Sequence, residues 1–430
     1  MQANKCKELL LILTFLPIIL LAQQNTVSPY SAFGIGEPQS QGFSLNSALG
    51  GVGVAMRGGN FLNPINPASL SAITNTTFET GLSGTSIFLR DKTLSREAFV
   101  SSLAYLSLGF PISKGFAVSG GLSPYSFKGF DLSQNFTFTD QEDTLNYTIN
   151  HNGSGGLNRA YTNFGIELDG FSFGATASMI FGTLNQKRDL VFNDSQELWR
   201  RDESAYNVRD LTYDFGFQYQ TNVSDKQLTI GATYSPETTL NANKKETTYT
   251  FDIINGLELI RDTVEAFAST TNKLLLPKSY AIGFALQKET EWFISAEIDF
   301  KEWSQMTLFD AQDPNIKDAT QFRLGAWWIP NNQDVHNYLN VIQYRAGFNY
   351  NTGHISTTVF GVSGTPTEIN DISISFGLGL PMKRSKTSTN ISIQLGKRGS
   401  VNNGLVEERY LRFVAAFTFN DKWFKKRKID

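Results

Sequence analysis

Cysteine is almost absent from this chain. Its 430 residues contain one, Cys6. It sits in MQANKCKE, a short net-positive stretch followed by the apolar run LLLILTFLPIILLA. Ala22-Gln23 offers a small-residue cleavage point. The pattern predicts a secretory signal peptide over residues 1–22, too short to be a spanning helix. Cys6 is far from the cleavage point, which argues against a lipid-anchored cysteine. The mature chain then has no disulfide, no thiol nucleophile and no thiolate metal site.

Charge of one sign is also lacking. The net charge is −3, and removing Lys5, Lys7 and Glu8 takes away +1 to leave −4. No basic footprint or motif for nucleic acid appears, so nucleic acid is not expected as a partner. Histidine is scarce, with only His151, His336 and His354. None joins a legible Ser/Asp arrangement or a metal-ligand spacing. NHNGSGG does not lead a strand into a helix, which excludes a phosphate loop. We therefore expect no catalytic residues, no metal, no cofactor and no enzyme activity. Beyond residue 22 no apolar run is long enough for a transmembrane helix.

What is present is alternation with period two, from about residue 76 to the C-terminus, which is the strand signal. In WFISAEIDFK (292–301), Trp292, Ile294, Ala296, Ile298 and Phe300 oppose Phe293, Ser295, Glu297, Asp299 and Lys301. In ISISFGLGL (372–380), Ile, Phe and Leu oppose only Ser and Gly. Fourteen such strands are expected between residues 77 and 419, including 226–251, 264–288 and 291–309 as single strands. Turns such as ISKG, DG, TNVSD and ET are brief, and the connections at the other end are longer and more polar. That asymmetry marks an all-β, fourteen-stranded antiparallel transmembrane β-barrel of an outer membrane. Lipid requires every backbone group to be paired, which strands achieve only in a closed barrel. Aromatics form 13% of the chain, and many, such as Trp327, Trp328 and Tyr344, fall near expected strand ends, as an interfacial girdle would. The layout expected is a signal peptide at 1–22, a hatch or plug inside the barrel at 23–75, the barrel at 76–420 and a basic periplasmic tail at 421–430. In that tail Lys422, Lys425, Lys426, Arg427 and Lys428 suit lipid head groups or an acidic partner. Both termini are expected in the periplasm.

Residues 23–75 are too rich in glycine and proline for a separate domain and too apolar for a solvated tail. GGNFLNPINPASLSA (58–72) holds two Asn-Pro pairs, Asn63-Pro64 and Asn66-Pro67, followed by Ala68. Proline fixes φ and removes a donor, and asparagine bonds nearby backbone, which gives defined turns that do not join a sheet. ALGGVGVAMRGGNFLNPINPASLSAITNTTFETG resembles the N-terminal hatch of the FadL-like family, outer-membrane transporters of long-chain fatty acids and other hydrophobic compounds. SPYSAFGIGEP (28–38) resembles mature N-termini of its Bacteroidota branch, which includes PorV-like proteins. The resemblance implies a hatch or gate at Asn63, Pro64, Asn66, Pro67 and Ala68. It implies passive diffusion of a hydrophobic or amphipathic small molecule past that hatch. The alternative within the same branch is a non-conducting docking or accessory subunit of an outer-membrane protein secretion or assembly complex.

Alternation also sorts the charges. Glu167, Asp214, Glu297, Asp299, Lys301, Arg323, Arg345 and Arg412 are expected to face the lumen. They either guide a ligand's carboxylate or form an ion-pair network in a nearly filled interior. Phe192, Leu198, Trp199, Phe251, Ile253, Ile254, Leu257, Leu259 and Ile260 fall at or near loop tips, where they suit an apolar ligand groove or a protein-binding surface. Outer-membrane lipid is the expected surrounding partner.

Overall fold

A sheet that is apolar on its outside and small and polar on its inside buries its backbone edges best by closing on itself. The computed structural model describes residues 26–140, 143–192, 198–254, 257–288, 290–308, 311–357, 366–382, 385–401 and 405–422. It shows fourteen antiparallel barrel strands. β1 is Thr76–Arg90, β2 Ser95–Ser113, β3 Phe116–Asp140, β4 Asp143–Leu168, β5 Phe171–Phe192 and β6 Trp199–Val223. β7 comprises Lys226–Ser235 and Thr238–Ile254, and β8 comprises Leu257–Leu276 and Ser279–Lys288. β9 is Trp292–Lys301, β10 Ala319–Trp328, β11 Gln343–Asn351, β12 Asp371–Pro381, β13 Ser388–Arg398 and β14 Glu407–Asp421. β14 pairs with β1 from Thr76↔Asp421 to Arg90↔Glu407, which closes the ring. No helix among the described residues is long and apolar enough to cross a membrane. The expected signal peptide and Lys425, Lys426, Arg427 and Lys428 lie outside the described residues.

The faces fall as the alternation requires. Ile294, Ile372, Ile374, Phe376, Leu411 and Phe413 are exposed on the outside, and Ser295, Ser373, Ser375 and Thr418 are buried within. Trp328 and Tyr344 stand side by side, ring centroids 6.1 Å apart. Trp327 departs from the expected girdle: it stacks at 6.0 Å on buried Phe293, on the inner face. At one end the turns are tight. Asp169 and Gly170 take φ of 49° and 84°, the positive pair that a two-residue type I′ hairpin needs.

Three expected strands are corrected. The stretches 226–251 and 264–288 are each split, at Pro236-Glu237 and at Pro277-Lys278, because proline cannot donate to the ladder. The lower halves pair from Ser279↔Ser235 to Gln287↔Gln227, and the upper halves pair on their own. The third, 291–309, ends at Lys301. A 3-10 turn at Trp303–Gln305 then carries Trp303 and Met306 into the interior.

The wall is uneven in height. β3, β4, β5 and β6 run 25, 26, 22 and 25 residues, whereas β9 to β13 run 9 to 11. One side of the barrel therefore stands far above the other at the long-loop end. The wall also has a seam. The β2–β3 ladder stops at Leu106↔Leu122, although both strands continue beyond it. A two-residue strand, Glu37–Pro38, takes up the β3 edge instead, at Phe127 and Ser126.

Residues 26–75 lie inside the barrel. They form short 3-10 turns at Pro29–Ala32 and Pro67–Ala72 and one short helix, α1, at Ser44–Ala48. The first described residues sit at the long-loop end, where Ser28 Oγ donates to Glu408 (2.6 Å) and Tyr30 Oη to the Val406 carbonyl (2.5 Å). The chain then descends to enter β1 at the short-turn end. Thr26 thus lies at the long-loop end and Asp421 at the short-turn end.

Candidate functional site: the occupied lumen

The interior is built for close backbone approach. Glycines on neighbouring strands face one another as Gly165↔Gly174↔Gly216, Gly231↔Gly283 and Gly325↔Gly347. Together they form a smooth inner band on which the N-terminal segment rests. A side chain at Gly325 would place its first carbon 2.5 Å from the Leu49 carbonyl oxygen, and one at Gly165 2.8 Å from that of Pro67. At Gly347 it would fall on the Gly50 amide, and at Gly174 on the Ala68 amide. Glycine is needed here for space rather than for φ.

Three sets of polar contacts fix the segment to this band. The central set is Glu297 of β9. Its Oε1 accepts the backbone N–H groups of Gly53 (2.8 Å), Val54 (2.6 Å) and Ala55 (3.3 Å). A carboxylate that accepts several backbone donors is a strong, geometrically defined anchor. Arg323 Nη1 stands 3.8 Å from its other oxygen, and Arg323 Nη2 lies 3.7 Å from Asp299. Opposite, Gln218 donates to the Val54 carbonyl (2.9 Å), and Ser375 Oγ accepts the Gly50 amide (2.8 Å).

The lower set faces the short-turn end. Arg57 of the segment pairs with Glu167 and donates to Ser172 Oγ (2.9 Å). Glu79 of β1 accepts the Leu62 amide (2.8 Å). Phe43 stacks on Tyr105 at 3.9 Å, and Tyr105 Oη accepts the Ser44 amide. The upper set closes on Arg398, which pairs with Glu37 (3.1 Å), with Glu408 through Nε (2.7 Å) and with Ser28 Oγ (3.0 Å). Burial alone would raise the Glu37 carboxyl, but Arg398 and Arg412, with the Thr26 hydroxyl, outweigh it and hold it below its ordinary range. Lys128 of β3 donates to the Ala32 (3.3 Å) and Gly34 (3.2 Å) carbonyls, fixing the segment across the seam.

The Asn-Pro pairs sit at the heart of the central set. Asn63 Nδ2 donates to the Gly53 (2.6 Å) and Met56 (2.9 Å) carbonyls. Asn66 Nδ2 donates to Val54 of the segment (2.6 Å) and to Phe217 of the wall (3.1 Å), and its Oδ1 caps the Ala68 amide (3.0 Å). Pro67 opens the 3-10 turn, where its missing N–H costs nothing. Ala68 packs without exposure on Gly174, while Pro64 borders the chamber described below. We expect Asn66→Ala to lose the cap, about 1–2 kcal/mol. Amide exchange across Val54–Ala68 should then quicken about 5- to 30-fold; unchanged protection would show that Asn66 does not hold the turn.

Of the other residues named from sequence, Glu297, Asp299 and Arg323 come together. Lys301 and Arg412 line a chamber of about 400 Å³ above them, between the segment and the long-loop end. Lys301 lies over the Trp303 ring (4.3 Å) and Arg412 over Tyr410 (5.8 Å). Arg159 and Asp214 face the same chamber, 3.9 Å apart. Arg345 is separate: it bonds Gln343 and Asn390 (2.8 Å) near the short-turn end. The chamber is thus charged on most sides. Beside it, an apolar cluster joins Ile35 of the segment to Leu157, Ile180, Leu240, Leu274, Trp303 and Met306. Arg57, Glu79, Glu37, Arg398 and Glu408 were not singled out in the sequence. Glu79 was findable, since it falls on the inner side of the alternation in TTFETG. The Arg398 cluster was not, because its members lie up to 380 residues apart.

The barrel is similar to several solved structures. The toluene transporter TodX of Pseudomonas putida has TM-score 0.57 and 15% identity, over 91% of this chain and 100% of that one. A Pseudomonas aeruginosa FadL homologue has TM-score 0.58 and 13% identity, over 90% and 99%. The CymD monoaromatic hydrocarbon channel has TM-score 0.53 and 14% identity, over 91% and 100%. At such identities the likeness is one of fold: a FadL-type outer-membrane barrel. Comparison with the curated proteins finds no match. The sequence itself matches the BamG family model over residues 5–430, so this FadL-type barrel belongs to the BamG family.

Proposed function

We propose that this chain is a non-conducting barrel that serves as a docking or accessory subunit of an outer-membrane protein secretion or assembly complex. In this reading the long-loop end faces the cell exterior, the short turns face the periplasm, and no catalytic chemistry is assigned. One observation carries it: residues 26–75 occupy the lumen and are tied to the wall at three levels by buried or partly buried, charge-assisted contacts. A hatch that shifts near residues 58–70 would have to strip Asn63, Asn66 and Arg57 of buried partners together. The chamber above is also a poor path for an apolar solute, because burying unpaired charge against hydrocarbon is expensive.

A second reading is passive diffusion of a hydrophobic or amphipathic small molecule; among the similar barrels, TodX is a toluene transporter and CymD a monoaromatic hydrocarbon channel. The β2–β3 seam favours it, since that break in the wall gives the lumen a lateral exit where Glu37–Pro38 now lies. Planar-bilayer conductance together with fatty-acid binding to the purified chain separates the two. The docking reading expects an electrically silent protein and no saturable binding. Saturable fatty-acid binding that protects Glu37–Gln39 from exchange would favour transport.

A further inference from the structure

The tall side of the barrel ends in the β7–β8 hairpin, and its tip is apolar on both faces. By alternation Ile253 and Ile260 lie on one face and Ile254, Leu257 and Leu259 on the other. All five are exposed, Leu257 by 69% and Ile260 by 62%. The lipid belt does not reach them. It ends near Tyr280 and Tyr234, exposed rings paired across the lower halves of β7 and β8. From Leu276 to Leu257 the strand runs on for roughly 60 Å at ~3.3 Å per residue. Beyond the belt the outward side of this wall is charged. Arg201 bonds Asp189 (2.7 Å) and lies over the Phe251 ring (4.3 Å), in line with Lys187 and Glu203.

We infer that this tip is a protein-docking element that inserts into an apolar groove rimmed by lysine or arginine on the partner. The inference rests on the docking reading above and names its surface. A tip apolar on both faces is not covered by a flat surface, whereas a groove covers both sides. The charge around it selects the partner's chemistry. Asp252, Glu258, Asp262 and Glu265 stand against one Arg261 in this stretch. Arg261 is taken by Asp252 (3.4 Å) and Glu258 by Arg201 (2.5 Å). Asp262 and Glu265 enter no ion pair among the described residues. Carboxylates beside the tip repel an anionic membrane surface and attract a basic rim. The rest of the edge is open in the same sense. On the upper half of β8, Leu257–Leu276, the short strand Thr307–Leu308 pairs only at Leu275 and Leu274, and no further pairing on that edge of the upper half occurs among the described residues.

The test places a photo-cross-linking residue at Leu259 of the full chain in its own outer membrane. The stoichiometry of the product is then compared with that of Leu257→Ser/Ile260→Ser and Asp262→Asn/Glu265→Gln. All four positions lie in the tall upper part of β8, beyond the Tyr234–Tyr280 pair, and heat-modifiable gel mobility checks that the barrel still folds. We expect one protein at about one copy per chain, cross-linked through an apolar groove flanked by lysine or arginine. The apolar double variant should lower its occupancy at least about tenfold, as for a hot spot. The acidic double variant should weaken it several-fold. Cross-links to lipid, to a second copy of this chain or to nothing would overturn the inference, as would a complex unaffected by the apolar variant. An intact stoichiometric complex with an unaffected tip variant defeats this surface alone. A chain found without any protein partner defeats the docking reading as well.

Discussion

Gly347→Leu is expected to stop the barrel from closing around residues 26–75. The first side-chain carbon would fall on the Gly50 amide nitrogen and the Leu49 carbonyl carbon. Both are backbone atoms, and Ser375 holds them in place by accepting the Gly50 amide and donating to the Ala48 carbonyl. Overpacking against side chains costs about 1–3 kcal/mol because they move aside. Here no flexible end is available to move, so the cost exceeds that range and the segment or the wall must yield. The expected result is loss of heat-modifiable mobility, or a closed barrel whose residues 26–75 are cut by protease. Ala346→Leu is the control, since Ala346 is the neighbouring exposed position. It should fold as the parent does. A Gly347→Leu barrel with a fully protected segment would show that the glycine band is not what seats the segment.

Glu297→Ala is expected to free the central turn of the segment without unfolding the barrel. The change removes the acceptor of three backbone amides and leaves Arg323 with Asp299 and Gln321 as its remaining partners. Breaking a buried charged contact by deleting one partner costs about 3–5 kcal/mol. The barrel ladder around β9 keeps its own pairings with β8 and β10, so the loss concentrates on Gly53–Ala55. Their amides should exchange on a timescale of local opening while β9 stays protected. Glu297→Gln keeps an acceptor oxygen and should fall between the two. Protection at Gly53–Ala55 unchanged in Glu297→Ala would move the anchor elsewhere, with Asn63 and Asn66 the next candidates.

Much of the wall could be read from the sequence because strand alternation is written one residue at a time. Ile294, Ser295, Ile372 and Ser373 each declare their face by chemistry alone. The register followed from the turns, since Asp169-Gly170 and the brief links at that end leave little freedom. The breaks in β7 and β8 were legible in principle, because Pro236 and Pro277 are visible letters whose effect on a ladder is known. The inward turn at Trp303 was not, since its tryptophan and methionine fit a lipid-facing strand as well as a buried turn.

The interior divides the same way. Glu297, Asp299 and Arg323 were picked out because charges on one side of an apolar alternation must face the lumen. What Glu297 holds was hidden, because its partners are the amides of Gly53, Val54 and Ala55, and backbone has no letter of its own. The Asn-Pro pairs showed that defined turns were needed without showing that Asn66 would reach both Val54 and Phe217. The path of the segment was also hidden. Glu37, Arg398 and Glu408 meet only once the barrel has closed, and their meeting places Thr26 at the long-loop end.

Native mass spectrometry of the full chain, extracted gently from its own outer membrane, tests the central claim most directly. A lumen filled and anchored by residues 26–75 predicts a barrel free of small-molecule ligand, bound to a protein partner at fixed stoichiometry. A solitary barrel carrying a fatty-acid-sized molecule, displaced when Asn66 and Pro67 are replaced, would contradict it and identify the segment as a hatch.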